Sequence, residues 1–198
     1  MPHEPDLREE SLEDEEGRLD PAVEARRTAA LSLLRRYGDP ILRSTATPVD
    51  RFDAALQGQV AHMGAIMRDS LGVGLAAPQL GLSQRLLVYR VEPDAPLVAL
   101  VNPEVEWASE AELETLEEGC LSIPGVAVDV ERPVHVRVRA RDERGDDRLV
   151  EASGLEARVI QHELDHLDGV LILDRATKEA RREALRALRE REPERTAA

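Results

Sequence analysis

The chain has 198 residues, enough for one domain with a substantial core, and a formal net charge of −14. That acidity argues against broad nucleic-acid affinity, which rests on neutralising phosphates, and DNA is excluded as a partner. No apolar run approaches the ~18–20 residues of a membrane span, and the acidic Met1-Pro2-His3-Glu4 start lacks the layout of a secretory signal. A single cysteine cannot form an internal disulfide and, as a ligand, needs reducing surroundings, so the expected compartment is the cytoplasm.

In chain order, residues 1–20 hold nine Asp or Glu and two Arg, a net of −7 and half the total charge. The expectation is an acidic, disordered extension over residues 1–27. A helical pattern runs from about Ala22 to Tyr37 and is ended by Gly38-Asp39-Pro40, and a loop follows to Asp50. Phe52 to Leu71 has helical spacing through Leu56, Val60, Met63 and Met67, closed by Gly72 and Gly74. Short strands are predicted over Arg85–Val91, Leu97–Asn102 and Val134–Ala140. The last alternates Val134, Val136 and Val138 with His135, Arg137 and Arg139, and Arg144-Gly145-Asp146 marks a hairpin turn.

Gly154 to Gly169 forms a helix with two apolar stripes: Leu155 and Val159 with His162 and His166, and Ile160, Leu164, Leu167 and Leu171. Such a helix is normally enclosed by other elements. Ala176 to Glu192 is a final amphipathic helix. With only 2% aromatic residues the core is built from Val, Leu, Ile and Ala. The expected fold is α+β, with antiparallel β-sheets packed around a central metal-bearing α-helix and a C-terminal helix. The expected division is a catalytic domain over 28–176 and a C-terminal amphipathic helix and tail over 177–198.

Three segments carry chemistry. In His162-Glu163-Leu164-Asp165-His166 the two histidines are four apart, on one helix face, so both imidazoles can reach one metal ion. Glu163 lies beside the first, where it can move protons at a metal-held water. The same run is also compatible with a solvated helix turn. Cys120, in Glu118-Gly119-Cys120-Leu121-Ser122, is either a small buried hydrophobe or a third ligand. Two histidines and one thiolate leave a fourth position open for water or substrate, as a catalytic site requires. Gly72-Val73-Gly74-Leu75-Ala76-Ala77-Pro78-Gln79 is either a helix-ending loop or a place where backbone approaches a ligand closely, with an amide donor at its end.

Together, in order and wording, these segments resemble peptide deformylase, whose pattern is Gly-X-Gly-Leu-Ala-Ala-X-Gln, Glu-Gly-Cys-Leu-Ser and Gln-His-Glu-X-Asp-His-Leu. Flanking matches are Asp39-Pro40-Ile41-Leu42-Arg43, Asn102-Pro103 and Asp174-Arg175, so the resemblance covers roughly residues 35–176. It implies removal of the formyl group from the N-terminal formyl-methionine of nascent polypeptides. Under it, Cys120, His162 and His166 are metal ligands, Glu163 is the acid–base residue, and Gln79 and the Leu121 N–H hold the carbonyl oxygen. The main chain of Val73, with its neighbour Gly74, and of Gly119 resembles a strand partner for the substrate peptide. Val73, Leu75, Leu155 and Val159 line a pocket for the methionine side chain. The implied metal is Fe2+ in the cell, with Zn2+, Ni2+ or Co2+ compatible with the ligand set.

The chain departs from the pattern at Gly125-Val126-Ala127-Val128, where some members carry an Arg. His3, His62 and His135 are not expected to be ligands. Asp165 is read as a helix anchor, Glu118 and Arg132 as an ion pair holding the cysteine loop, and Trp107 as a core or edge residue. Lys178, Arg182, Arg186 and Arg189 form a stripe on the last helix, suited either to pairing with neighbouring Glu residues or to contact with ribosomal RNA phosphate. A peptidase built on the same helix motif and a catalytically idle homologue are the alternatives. The upstream position of Cys120 speaks against the first, the presence of Glu163 and Gln79 against the second.

Overall fold

The computed structural model describes residues 19–191. The acidic block over residues 1–18 therefore lies outside the described residues, as does the tail beyond 191. Asp20 caps helix α1 (Pro21–Ser32) by accepting from the Ala22 N–H at 2.8 Å, with Pro21 at the first helical position. Ordered helix thus begins inside the stretch assigned to a disordered extension. It ends short of the expected Tyr37, because the next backbone groups are bonded elsewhere. Arg35 N–H donates to the Gln79 carbonyl (2.7 Å) and Tyr37 N–H to the Ser122 carbonyl (2.9 Å).

Among the described residues seven strands follow: β1 (Gly74–Ala76), β2 (Leu86–Tyr89), β3 (Val98–Ala108), β4 (Leu113–Cys120), β5 (Ile123–Pro133), β6 (His135–Arg141) and β7 (Asp147–Ser153). One antiparallel sheet has the order β1-β2-β3-β6-β7, and β4 and β5 form a separate hairpin. Helix α2 (Ala54–Asp69) covers one face of the large sheet, and α3 (Gly154–Leu167) covers the other. β2 shows why: Leu86 and Val88 pack with Val60, Met63 and Met67 of α2, while Leu87 and Tyr89 pack with Ile160 and Leu164 of α3. A strand buried on both faces carries four apolar side chains in a row. The β4–β5 hairpin builds a third cluster through Ile123, Val126, Val128 and Val130, shared with Leu171 and with the short α4 (Ile172–Arg175) and α5 (Lys178–Arg191). Leu171, expected on the stripe of Ile160 and Leu164, belongs to this cluster because α3 has already ended at Leu167.

The expected architecture of antiparallel sheets around one buried helix is present. β1, β4, β5 and β7 were not among the predicted strands, and the expected loop after Pro40 begins with a short 3-10 turn over Pro40–Arg43. The Arg43 guanidinium of that turn pairs with Asp174, so two of the short flanking motifs meet in space. Asn102 holds a positive φ of 52° while its side-chain amide exchanges two 2.8 Å hydrogen bonds with the Val49 backbone, pinning the loop before α2.

Charge holds α3 to the hairpin. Arg132 of β5, 4% exposed, grips Glu118 of β4 with two hydrogen bonds (2.6 and 2.9 Å) and reaches Asp165 of α3 at 3.0 Å. Arg175 of α4 closes on the other side of Asp165 at 2.5 and 3.1 Å. Removing one partner of a buried pair leaves the others uncompensated. Arg132→Ala should therefore lower unfolding free energy by roughly 3–5 kcal/mol, read as a shifted urea midpoint. A loss below about 1 kcal/mol, the range of surface pairs, would show that the network is not holding the hairpin.

Candidate metal centre and active site

The end of β4 delivers Cys120, and α3 delivers His162, Glu163 and His166. Pairing between β4 and β5 runs in register to Gly119 and then shifts, so that Cys120 sits opposite Ile123 across a tight turn through Leu121 and Ser122. The Cys120 Sγ and one nitrogen from each histidine lie within 4.8 Å of one another. Cys120 Sγ and His166 Nε2 are 3.2 Å apart. A thiolate and two imidazoles at this separation are the donor set of a tetrahedral site with one open position, so the residues fit a divalent metal.

Their ionisation fits it too. Burial alone would push the Cys120 thiol up, but the His166 and His162 imidazoles outweigh it and hold the thiol well below its ordinary range. His162 is pushed up, against burial, by its contacts with Cys120 and Glu118. Glu118 accepts at 3.0 Å from His162 Nδ1, which fixes the ring and leaves Nε2 for the cluster. Burial would raise Glu118, yet the hydrogen bonds from Arg132 and His162 bring it down to about 2. Glu163 is 4% exposed, and burial pushes its carboxyl above the usual range, aided by the Cys120 charge and opposed by both histidines. Two buried polar atoms, Glu163 Oε2 and His166 Nδ1, have no hydrogen-bond partner among the described residues.

Gly74 makes room for that carboxylate: a Cβ there would overlap Glu163 Oε1. Gln79 lies in the 3-10 turn that follows β1 and is 1% exposed. Its Oε1 accepts from the Ala76 N–H (2.8 Å), so its Nε2 must face the cysteine loop, 3.4 Å from Ser122 Oγ and 3.9 Å from Cys120 Sγ.

These groups open into a cleft of about 470 Å³, whose lining includes Val73, Gly74, Gly119, Leu121, Leu155 and Val159 as well as Gln79, Cys120, His162 and Glu163. Val73 and Leu155 are exposed at its rim, and the Val73 carbonyl accepts from the Arg90 N–H at 2.8 Å. Leu75 does not belong to the cleft. It pairs with Val88 and shares that residue's face toward α2, fully buried, because successive side chains on a strand point to opposite sides. His62 is exposed on α2, and His135 is engaged by Ser153 and Glu112, away from the cluster. Trp107 is half exposed on β3. Asp165 and the Glu118–Arg132 pair act as anchors, as expected, within a wider network.

Sequence reasoning passed over Arg158, which donates to Glu118 (2.7 Å) and to the carbonyls of Val130 and Glu114 (3.0 and 2.7 Å). Its position one helical turn before His162 was the available signal. It also passed over Arg27 and Leu31 of α1, which line the cleft.

Comparison with known proteins agrees with this geometry. The family model for polypeptide deformylases matches residues 32–182. The chain is 47% identical over 159 residues to a peptide deformylase of Parafrankia sp. (strain EAN1pec), covering 80% of this chain and 86% of the relative. It is 50% identical over 153 residues to one of Thermotoga neapolitana, covering 77% and 91%. Among solved structures, the peptide deformylase from Synechococcus elongatus in complex with actinonin superposes with a TM-score of 0.75 at 44% identity, covering 78% of this chain and 85% of that one. Matched over most of its length in both sequence and structure, the chain belongs to the polypeptide deformylase family.

Proposed function

We infer that this chain is a metal-dependent hydrolase that removes the N-formyl group from the N-terminal formyl-methionine of nascent polypeptides and releases formate. The observation that carries the reading is the convergence of Cys120, His162 and His166 within 4.8 Å beside the buried Glu163, at a cleft open to a peptide. A divalent ion held by those three residues would lower the pKa of water toward neutrality and supply a nucleophile at working pH. Glu163, its carboxyl raised by burial, is suited to take the proton of the attacking water and hand it to the leaving amine. Gln79 Nε2, oriented by the Ala76 N–H, and the Leu121 N–H are assigned to the oxyanion that develops on the formyl oxygen, each such donor contributing roughly 3 kcal/mol.

Val73, just before the edge strand β1, Gly74 on it and Gly119 on β4 are assigned to the peptide main chain. The rim residues Val73 and Leu155, with Val159, are assigned to the methionine side chain. Fe2+ is the proposed ion, with Zn2+, Ni2+ and Co2+ compatible with one thiolate and two imidazoles. The proposed compartment is the cytoplasm, whose reducing conditions keep Cys120 a thiolate. Among the described residues no helix is long and apolar enough to cross a membrane. Lys178, Arg182, Arg186 and Arg189 are exposed along α5, with Arg186 3.7 Å from Glu190, and this stripe is the proposed contact for ribosomal RNA.

The activity is tested on formyl-Met and acetyl-Met peptides under anaerobic conditions. Formyl-Met peptides should be hydrolysed at least ~100-fold faster, because an acetyl methyl crowds a site that must bring one carbonyl against fixed donors. Comparable rates would indicate a general amidase. Two variants separate the roles within the site. Glu163→Ala should keep its metal while losing roughly 10²–10⁴-fold in turnover, whereas Cys120→Ser should lose metal, since an alcohol is not ionised as a coordinated thiol is. Metal analysis showing loss in Glu163→Ala, or full occupancy and rate in Cys120→Ser, would reverse the assignments.

A further inference from the structure

We propose that Arg27, on a helix that precedes the segment matched to the family model, reads an acidic side chain of the substrate downstream of its methionine. The proposal rests on the deformylase reading above. Arg27 and Leu31 are one turn apart on α1 and line the same cleft as Val73, Leu121 and Glu163.

The helix that carries them is anchored. Asp20 caps its start, Val23 and Ala30 are buried, and Leu31 packs against the α2 cluster. The Arg36 guanidinium donates to both the Leu31 carbonyl (3.2 Å) and the Leu121 carbonyl (2.9 Å), tying the last turn of α1 to the cysteine loop. Arg27 therefore stands on a fixed wall of the cleft.

The charges of that cleft leave Arg27 available. Arg158 and Glu118 also line it but are bonded to each other at 2.7 Å, and His162, Cys120 and Glu163 are coupled in the proposed metal centre. Arg27 is exposed and has no hydrogen bond or ion pair among the described residues. Glu117 of β4 is the other exposed charge in the lining, and it limits any attraction for acidic groups to the part of the cleft walled by α1.

The substrate's chemistry supplies the complement. Formylation removes the positive charge of the terminal amine, and methionine is neutral, so every charge on a formyl-peptide lies downstream. A guanidinium fork matches a carboxylate in two parallel hydrogen bonds, and it does so on a protein whose overall charge of −14 would otherwise repel such a group.

The test uses metal-loaded protein and C-terminally amidated peptides carrying Glu, Gln or Lys either directly after formyl-methionine or one residue further on. At low salt, kcat/KM should favour Glu over Lys by about fivefold in one of the two registers, with Gln between, the size expected of a solvent-exposed pair. In Arg27→Gln the Glu/Lys ratio should fall to near one, in Arg27→Glu it should invert, and Arg27→Lys should retain its sign. Raising the salt to about 0.5 M should shrink the ratio in the unmodified protein. Equal rates on all peptides, or the same ratio in Arg27→Gln as in the unmodified protein, would overturn this proposal alone. Failure to hydrolyse any of the formyl-peptides would overturn the deformylase reading and this proposal with it.

Discussion

The buried carboxylate of Glu118 is the constraint on which the site and the packing around it both depend. It accepts from Arg132 twice, from Arg158 and from His162, so one side chain on β4 is tied to β5 and, through two residues a turn apart, to α3. A carboxylate removed from water is costly unless it is paired and hydrogen-bonded, and four charge-assisted bonds meet that demand. Asp165 extends the same set of charges: it pairs with Arg132 and, on its other side, with the half-exposed Arg175.

This arrangement explains how residues more than forty positions apart in the chain reach ligand distance. Cys120 ends a strand that, among the described residues, pairs with β5, and a two-stranded hairpin has little stability of its own. Its apolar face packs on α4 and α5, and its charged residues lock onto α3. The large sheet contributes the other side. β2, buried on both faces, holds β1 in place, and β1 leads directly into the turn that carries Gln79. The cleft opens between these two units, with α1 adding a further wall.

The longer helices and the histidine pair of the candidate metal centre were legible in the sequence because their signals are local, whereas Cys120 was assigned only through the resemblance to the family pattern. Histidines four apart share a face in any α-helix, and the Leu56, Val60, Met63 and Met67 spacing describes α2 directly. β4 was hidden because, apart from Glu118 and Cys120, its residues are exposed, so it lacks the alternation by which strands are recognised. β5 does alternate, with Val126, Val128 and Val130 buried between exposed neighbours, and that signal was present but was passed over. Leu75 was misplaced by strand parity: its neighbour Gly74 faces Glu163, while Leu75 faces the opposite core. Spacing puts Arg158 one turn from His162 but does not assign its role, because an arginine on a helix is ordinarily solvated, and only the fold shows the Glu118 carboxylate against which it is buried. The start of α1 was legible in the helical pattern from about Ala22, but its end was not, because the backbone beyond Ser32 bonds to the Gln79 and Ser122 carbonyls, contacts that no local pattern shows.

The central claim is that Glu118 presets His162 for the metal, and Glu118→Gln tests it most directly. Glutamine keeps the size of the side chain and removes its charge. Metal affinity, measured by competition with a chromophoric chelator on folded protein, should fall by roughly 10–100-fold, the usual effect of losing a group that orients a ligand. Unchanged affinity in a natively folded Glu118→Gln protein would contradict the account.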